Sequence, residues 1–200
     1  MNELPQPHQA LIQFAGALAV ALKARDAYTR FHSDRVMQLS LDLAVAMGLS
    51  GDELTLLETA SALHDIGKLG IPDEVLLKAE RLAEEEFAIM RAHSERGAQI
   101  VQALHMEGTD VVAKAILHHH ECFDGTGYPH GLKGEEIPLM SRIITIADNY
   151  DAMATRRVYH EPRAHLEIMD VMLSETGHKH DPALFEVFVR QIDTSPHKVG

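Results

Sequence analysis

Apolar residues recur at steps of three and four along most of this chain, the spacing of helix faces turned towards a core. From Gln9 to Met47 the pattern is helical, with Ala21, Arg25, Tyr28, His32 and Val36 close to one face. Gly48-Leu49-Ser50-Gly51 breaks it, and Ser50 or Asp52 is placed to cap a helix carrying Leu56, Ala60, Leu63 and His64. Gly67 and Gly70-Ile71-Pro72 end that segment. A short helix is expected after Pro72-Asp73, and a longer one from Leu82 through His93 to Leu104. Residues 109–121 read as a helix in which Val112, Ala115, Ile116, His119 and His120 share a face. Residues 122–138, with four glycines and two prolines, read as a long loop. Ile143-Ile144-Thr145-Ile146 has strand propensity, but Ala147, Asp148, Asp151 and Ala152 restore helical spacing and make the segment a helix. Asp181-Pro182 reads as the cap and first position of a terminal helix through Val189.

These elements predict an all-α, single-domain helical bundle whose long functional loop spans residues 122–138. No repeat or linker divides the 200 residues. The expected organisation is a lead-in over residues 1–14, the domain over 15–190 and a tail over 191–200. Residues 11–22 form an apolar run with no basic segment before it, too short to cross a bilayer. A soluble, cytoplasmic protein without a membrane partner is therefore expected. The formal net charge of −12 argues against a nucleic-acid polymer as partner, but bound divalent metals would reverse the local field for an anionic small molecule.

Composition changes the picture at one point: the chain has 14 histidines and a single cysteine, Cys122. Any metal must then be held by imidazoles and carboxylates. The candidate ligands are His32, His64, Asp65, His93, His119, His120 and Asp148, each on a helix face otherwise occupied by small apolar residues. Adjacent ligands such as His64-Asp65 require a helix end or a position between two metals. A carboxylate can bridge two metals where an imidazole cannot, so Asp65 is the natural bridging group. Such a donor set suits iron, manganese or zinc. Two metals roughly 3.5–4 Å apart can share a hydroxide and clamp a phosphate. Taken singly, His32 or His93 would be a packed core histidine. His118 is expected to face solvent or to support its neighbours, and His105, His130, His165, His178, His180 and His197 to have surface or local hydrogen-bonding roles. The run Glu84-Glu85-Glu86 is most simply a solvated face.

Together, His64-Asp65-Ile66-Gly67-Lys68, His119-His120-Glu121, Asp124-Gly125 and Gly127-Tyr128-Pro129 resemble the HD-GYP family of bacterial cyclic-dinucleotide phosphodiesterases. The resemblance extends through Arg25-Asp26, His32-Ser33, Arg35-Val36, Ile71-Pro72-Asp73, Leu77-Lys78, Glu85-Glu86, His93, Gly97, Ile137-Pro138, Arg142-Ile143, Asp148 to Met153, and Arg157. It implies one metal on His32, His64, Asp65 and Asp148, and a second on Asp65, His93, His119 and His120. The metals implied are iron, with manganese as the alternative, and zinc or nickel acquired on purification. Asp65 and Lys68 would be catalytic, Lys68 lying at the substrate phosphate, with Tyr128, Asp151 and Arg157 contacting the dinucleotide. The substrate implied is cyclic di-GMP, opened to linear pGpG with further cleavage to GMP as an extension. Some family members hold a third metal with a Glu where this chain has Tyr28, so two metals are expected here. A lysine common in the family is replaced by His160. Gly127-Tyr128-Pro129 resembles a docking surface for diguanylate cyclase (GGDEF-type) domains, and a homodimer is a further expectation. The rival readings are a slow dinucleotide-sensing module that signals through a protein partner, and a general HD-type nucleotide phosphohydrolase.

Overall fold

The helical spacing is realised throughout the computed structural model, which describes residues 8–25, 29–155 and 162–199. Among these residues there are nine α-helices: α1 (Gln9–Arg25), α2 (Thr29–Ala46), α3 (Asp52–Leu63), α4 (Asp73–Leu76), α5 (Glu84–Gln102), α6 (Thr109–Leu117), α7 (Leu139–Ala154), α8 (His165–Ser174) and α9 (Pro182–Ile192). Among the described residues there is no strand, only an isolated bridge between Thr176 and His180. The described residues form one all-α domain. Val36, Leu39 and Leu43 of α2, Leu57, Ala60 and Leu63 of α3, Val112 and Ile116 of α6, and Ile143, Ile146 and Tyr150 of α7 all point into one core. Each set is spaced by three or four, so one stripe of every helix is apolar and burial of those stripes drives their assembly. α2 packs against α3, α7 and α9, while α6 lies against α3, α5 and α7. Among the described residues no helix is long and apolar enough to cross a membrane.

Several boundaries differ from those expected. α1 begins at Gln9 and buries Leu11 and Ala15, so residues 9–14 belong to the bundle and not to a lead-in. The helical pattern from Gln9 to Met47 is carried by two helices, α1 and α2, and Tyr28 falls outside the described residues. Neither Ser50 nor Asp52 caps α3: Gly51 occupies the cap position with φ 54°, and Asp52 is the first helical residue. α6 ends at Leu117, and His118 leaves the helical region with φ −107° and ψ 11°. The tail packs back onto the body, where Ile192 is buried and the Val199 N–H donates to Tyr150 Oη at 3.2 Å. Glu86 is more than a solvated charge: it accepts from the Ala83 N–H at 2.7 Å and pairs with Lys78 at 2.6 Å, closing the N-terminus of α5 without a Ser or Thr cap. α8 has no counterpart among the expected elements.

One close approach fixes the relation between α3 and α5. Beyond α3 the chain forms a tight 3-10 turn, Ile66–Gly70, that runs backbone to backbone against α5. A Cβ on Gly67 would lie 1.8 Å from the His93 carbonyl oxygen and 2.6 Å from the Gly97 nitrogen. Only glycine permits this contact, which brings Asp65 alongside His93. Gly67→Ala is expected to separate the two segments, at more than the ~1–3 kcal/mol typical of overpacking because the obstacle is backbone. Chemical denaturation together with metal counting would show it; wild-type stability and metal content would refute this role.

His180, just before α9, is buried beneath Phe185, with ring centroids 6.0 Å apart, and its Nε2 meets the Asn149 amide at 3.0 Å. Burial takes its pKa down from 6.5 to about 4, aided by Lys179. Below pH 6.5 the unfolded chain binds a proton that the folded one refuses. Stability is therefore full above pH 6.5 and falls between 6.5 and 4, by at most about 3 kcal/mol from this residue. Urea melts of metal-free wild type and His180→Gln at pH 7.5 and 5 should show a smaller acid loss in the variant. Equal losses would show that His180 does not carry the effect.

Candidate metal centre

Five helical segments converge on one buried volume. α2 brings His32 in its first turn, α3 ends into His64 and Asp65, α5 brings His93 from its middle, α6 ends into His119 and His120, and α7 brings Asp148. His32, His64, Asp65, His93 and His119 are each at most 3% exposed. His120 and Asp148 are half-buried, as are Lys68 and Tyr128, and these four form the accessible rim. The seven expected ligands are all brought together.

They fall into two sets. His32, His64 and Asp148 offer ligand atoms within 4.8 Å of one another, and so do His93, His119 and His120. In the first set His32 Nε2 lies 3.1 Å from Asp148 Oδ1. In the second, His93 Nε2 lies 3.4 Å from His119 Nε2 and 3.2 Å from His120 Nε2. Asp65 stands between them. Its Oδ2 is 3.5 Å from His64 Nε2 and 3.9 Å from His32 Nε2, and its Oδ1 is 3.6 Å from His93 Nε2.

The hydrogen bonds on the far sides of the rings identify the donor atoms. His64, His93 and His119 each direct Nδ1 at the carbonyl of the residue three positions earlier: Ser61 at 2.7 Å, Met90 at 2.8 Å and Ile116 at 2.6 Å. A carbonyl only accepts, so Nδ1 carries the proton and Nε2 presents a lone pair inward. The His93–His119 contact is then lone pair against lone pair, which a cation resolves and a hydrogen bond does not. Nitrogens bound to one tetrahedral ion at 2.0–2.1 Å lie about 3.3 Å apart, close to what is seen. His64 Nε2 is buried with no hydrogen-bond partner among the described residues. Both sets fit divalent metal ions.

The adjacent histidines act together because α6 has ended. A helix would set His119 and His120 about 100° apart, but in the turn their ring centroids are 4.0 Å apart. They do not lie on the stripe of Val112 and Ile116 as expected. Thr145 of α7 locks the turn by donating to the His119 carbonyl at 2.7 Å.

Electrostatics divides the sets. Burial, then the neighbouring His93 and His64, take the His119 pKa down to about 3. Burial and His119 lower His120 well below its usual value, and burial lowers His93. This set is neutral imidazole, ready to ligate. Burial also opposes a charge on His32, but hydrogen bonds to Asp148 and Asp151 outweigh it and raise the pKa to about 9. Burial works against ionising Asp65 and Asp148, yet Lys68 and His64 beside Asp65, and His32 beside Asp148, hold both far below the usual carboxylate range.

The expected substrate contacts are placed differently from one another. Lys68 Nζ lies 2.6 Å from Asp65 Oδ2 at the rim. Tyr128 stacks on His120 with centroids 4.9 Å apart, and Arg91 lies 5.3 Å from its ring centre. Asp151 is 2% exposed and meets His32 at Nδ1, across the ring from the Nε2 that faces Asp148. One of its oxygens accepts from Arg35 Nε; the other meets His32 Nδ1 at 2.7 Å and Arg35 Nη2 at 3.1 Å. It orients His32 from behind, a role sequence spacing did not reveal because Arg35 and Asp151 are 116 positions apart. Arg157 and His160 lie outside the described residues.

With this geometry in place, the comparisons with known proteins are consistent across the chain. Residues 17–184 match the HD domain family. A cyclic di-GMP phosphodiesterase of Thermotoga maritima is 41% identical over 166 residues, which cover 83% of this chain and 45% of that protein. The 3'3'-cGAMP-specific phosphodiesterase 2 of Vibrio cholerae is 36% identical over 176 residues, covering 88% and 34%. The chain thus spans less than half the length of these two relatives. The solved structure of Bd1817, a HDG"Y"P protein from Bdellovibrio bacteriovorus, superposes with a TM-score of 0.64 at 25% identity, covering 81% of this chain and 51% of that one. The match over most of its length places the chain in the HD domain family, within which it carries the His-Asp and Gly-Tyr-Pro motifs of HD-GYP proteins.

Proposed function

We propose that the domain hydrolyses a phosphodiester bond of cyclic di-GMP at a dinuclear centre, giving linear pGpG and, by a second cleavage, GMP. The observation that carries this reading is Asp65 standing between two convergent ligand sets, one oxygen towards each. His32, His64 and Asp148 would hold one divalent ion and His93, His119 and His120 the other. Iron is the assigned metal and manganese the alternative, while zinc and nickel suit the same donors. Bound ions supply Lewis acidity towards a phosphoryl oxygen and an activated water. The names of the relatives support a cyclic dinucleotide as substrate, the Thermotoga protein for cyclic di-GMP and the Vibrio protein for 3'3'-cGAMP.

The chain's own residues then have separate tasks. Lys68 places an ammonium beside Asp65 at the rim, where an arriving phosphate gains a counter-charge. Burial raises the Tyr128 pKa, so its phenol keeps its proton and offers a donor beside His120. Asp151 and Arg35 hold the His32 ring. Arg157 remains a proposed dinucleotide contact. The Gly127-Tyr128-Pro129 turn half-buries Tyr128 and Pro129, leaving Thr126 and His130 as its exposed members for docking a cyclase domain or a second copy of the chain.

Anaerobically purified protein, loaded with iron or manganese, should convert cyclic di-GMP to pGpG on chromatography, with 3'3'-cGAMP run in parallel. Full metal occupancy with dinucleotide binding but no linear product would replace catalysis by sensing. Asp65→Ala should abolish turnover and lower metal content at both sets, and retention of two ions would exclude bridging. Asp151→Asn tests the positioning role. Metal retention after dialysis should fall about 10–100-fold in affinity. A raised KM with unchanged metal content would instead return Asp151 to the substrate.

A further inference from the structure

A second group of ligating side chains lies outside the His/Asp centre. His118, Glu121 and His130 offer ligand atoms that all lie within 4.8 Å of one another. His118 closes α6, Glu121 follows the turn, and His130 stands exposed just beyond Tyr128-Pro129. The rings of His118 and His130 have centroids 5.2 Å apart and are inclined at 51°. His118 Nδ1 is 3.5 Å from Glu121 Oε1, longer than a charge-assisted hydrogen bond.

Glu121 is what makes this group unusual. It is 1% exposed, and its Oε2 has no hydrogen-bond partner among the described residues. His118, 8% exposed, likewise has Nδ1 buried without a hydrogen bond. A buried carboxylate with a bare oxygen beside an unpaired imidazole nitrogen is costly unless something satisfies both. A cation does so at once. Two imidazoles and one carboxylate form a three-ligand zinc set with a fourth position open, and exposed His130 gives the ion an entry path from solvent.

We propose that His118, Glu121 and His130 bind a zinc ion separate from the dinuclear centre, clamping the Gly-Tyr-Pro loop to the turn that carries His119 and His120. Glu121 already ties the loop through the His130 backbone N–H, which donates to Oε1 at 2.8 Å. That bond survives replacement of the His130 side chain, so a purely structural role for Glu121 and a metal-binding role separate cleanly in His130→Ala.

The test saturates the full chain with zinc chloride, removes free metal by gel filtration and counts zinc per chain. His130→Ala and His118→Gln should each hold one ion fewer than wild type. His130→Ala should keep the metal-free melting temperature but show a smaller rise on adding zinc. His178→Ala, which removes another exposed histidine of the same region, should keep the wild-type count. Because the readout is a difference from wild type, it holds even if the dinuclear assignment fails. Equal zinc in His130→Ala and wild type would overturn the proposal, as would loss of an ion in His178→Ala.

Discussion

Inward-facing nitrogen lone pairs, held against one another at the buried floor of the site, are the constraint on which the rest of this structure depends. His93 and His119 present Nε2 atoms 3.4 Å apart with no proton between them. In a low-dielectric interior that opposition is felt more strongly than it would be at the surface. The bundle sustains it by fixing four of the five rings from behind, three by the carbonyl three residues earlier and His32 by Asp151. A cation turns the same arrangement from opposed dipoles into attraction, so ion binding and stability of the fold are linked. The site is prepared by the fold, and the fold is relieved by the ion.

Where the ligands leave the helices matters as much as which residues they are. His93 and Asp148 project from the middle of α5 and α7, and their directions follow from helix geometry. His64-Asp65 and His119-His120 sit just past helix ends, where the backbone is released and neighbours in sequence can face one site. This freedom would be useless if the ends could drift. The Gly67 contact against His93 and Gly97, and the Thr145 bond to the His119 carbonyl, remove the drift. Both restraints act on the backbone of the ligand segments, so they hold those segments in place whatever the ligand rotamers.

Much of this was legible in the sequence, for identifiable reasons. Apolar spacing located the core helices because burial of one stripe is what stabilises each of them, and it correctly read residues 143–146 as helix despite their β-branched side chains. The convergence of the seven proposed ligands was legible because His-Asp and His-His pairs at fixed distances from a glycine-rich turn have few other uses. Spacing does not report where a helix stops, and residues 118–121 were misread for that reason: His119 and His120 continue the apolar stripe in sequence but not in space. Nor does it report partners far apart in the chain. Arg35 with Asp151, and Lys78 with Glu86, are contacts that only the folded backbone creates. The closure of α5 without a Ser or Thr cap and the packed tail belong to the same class.

The net charge of −12 stands against the proposed substrate, which carries two phosphates. The conflict dissolves when distance is considered. At physiological ionic strength charges are screened beyond about 8 Å, so acids spread over the surface repel an approaching anion only weakly. Within that radius the balance is different. Asp65 and Asp148 are already compensated by Lys68 and His32, and Lys68 and Arg91 stand near the rim. Two divalent ions on the His/Asp sets would add four positive charges and displace the His32 proton, a net gain of three. Recognition of the anion is therefore a short-range property of the centre itself. On the proposed reading it would arise from the two bound ions and Lys68, with no basic surface needed to guide the substrate in.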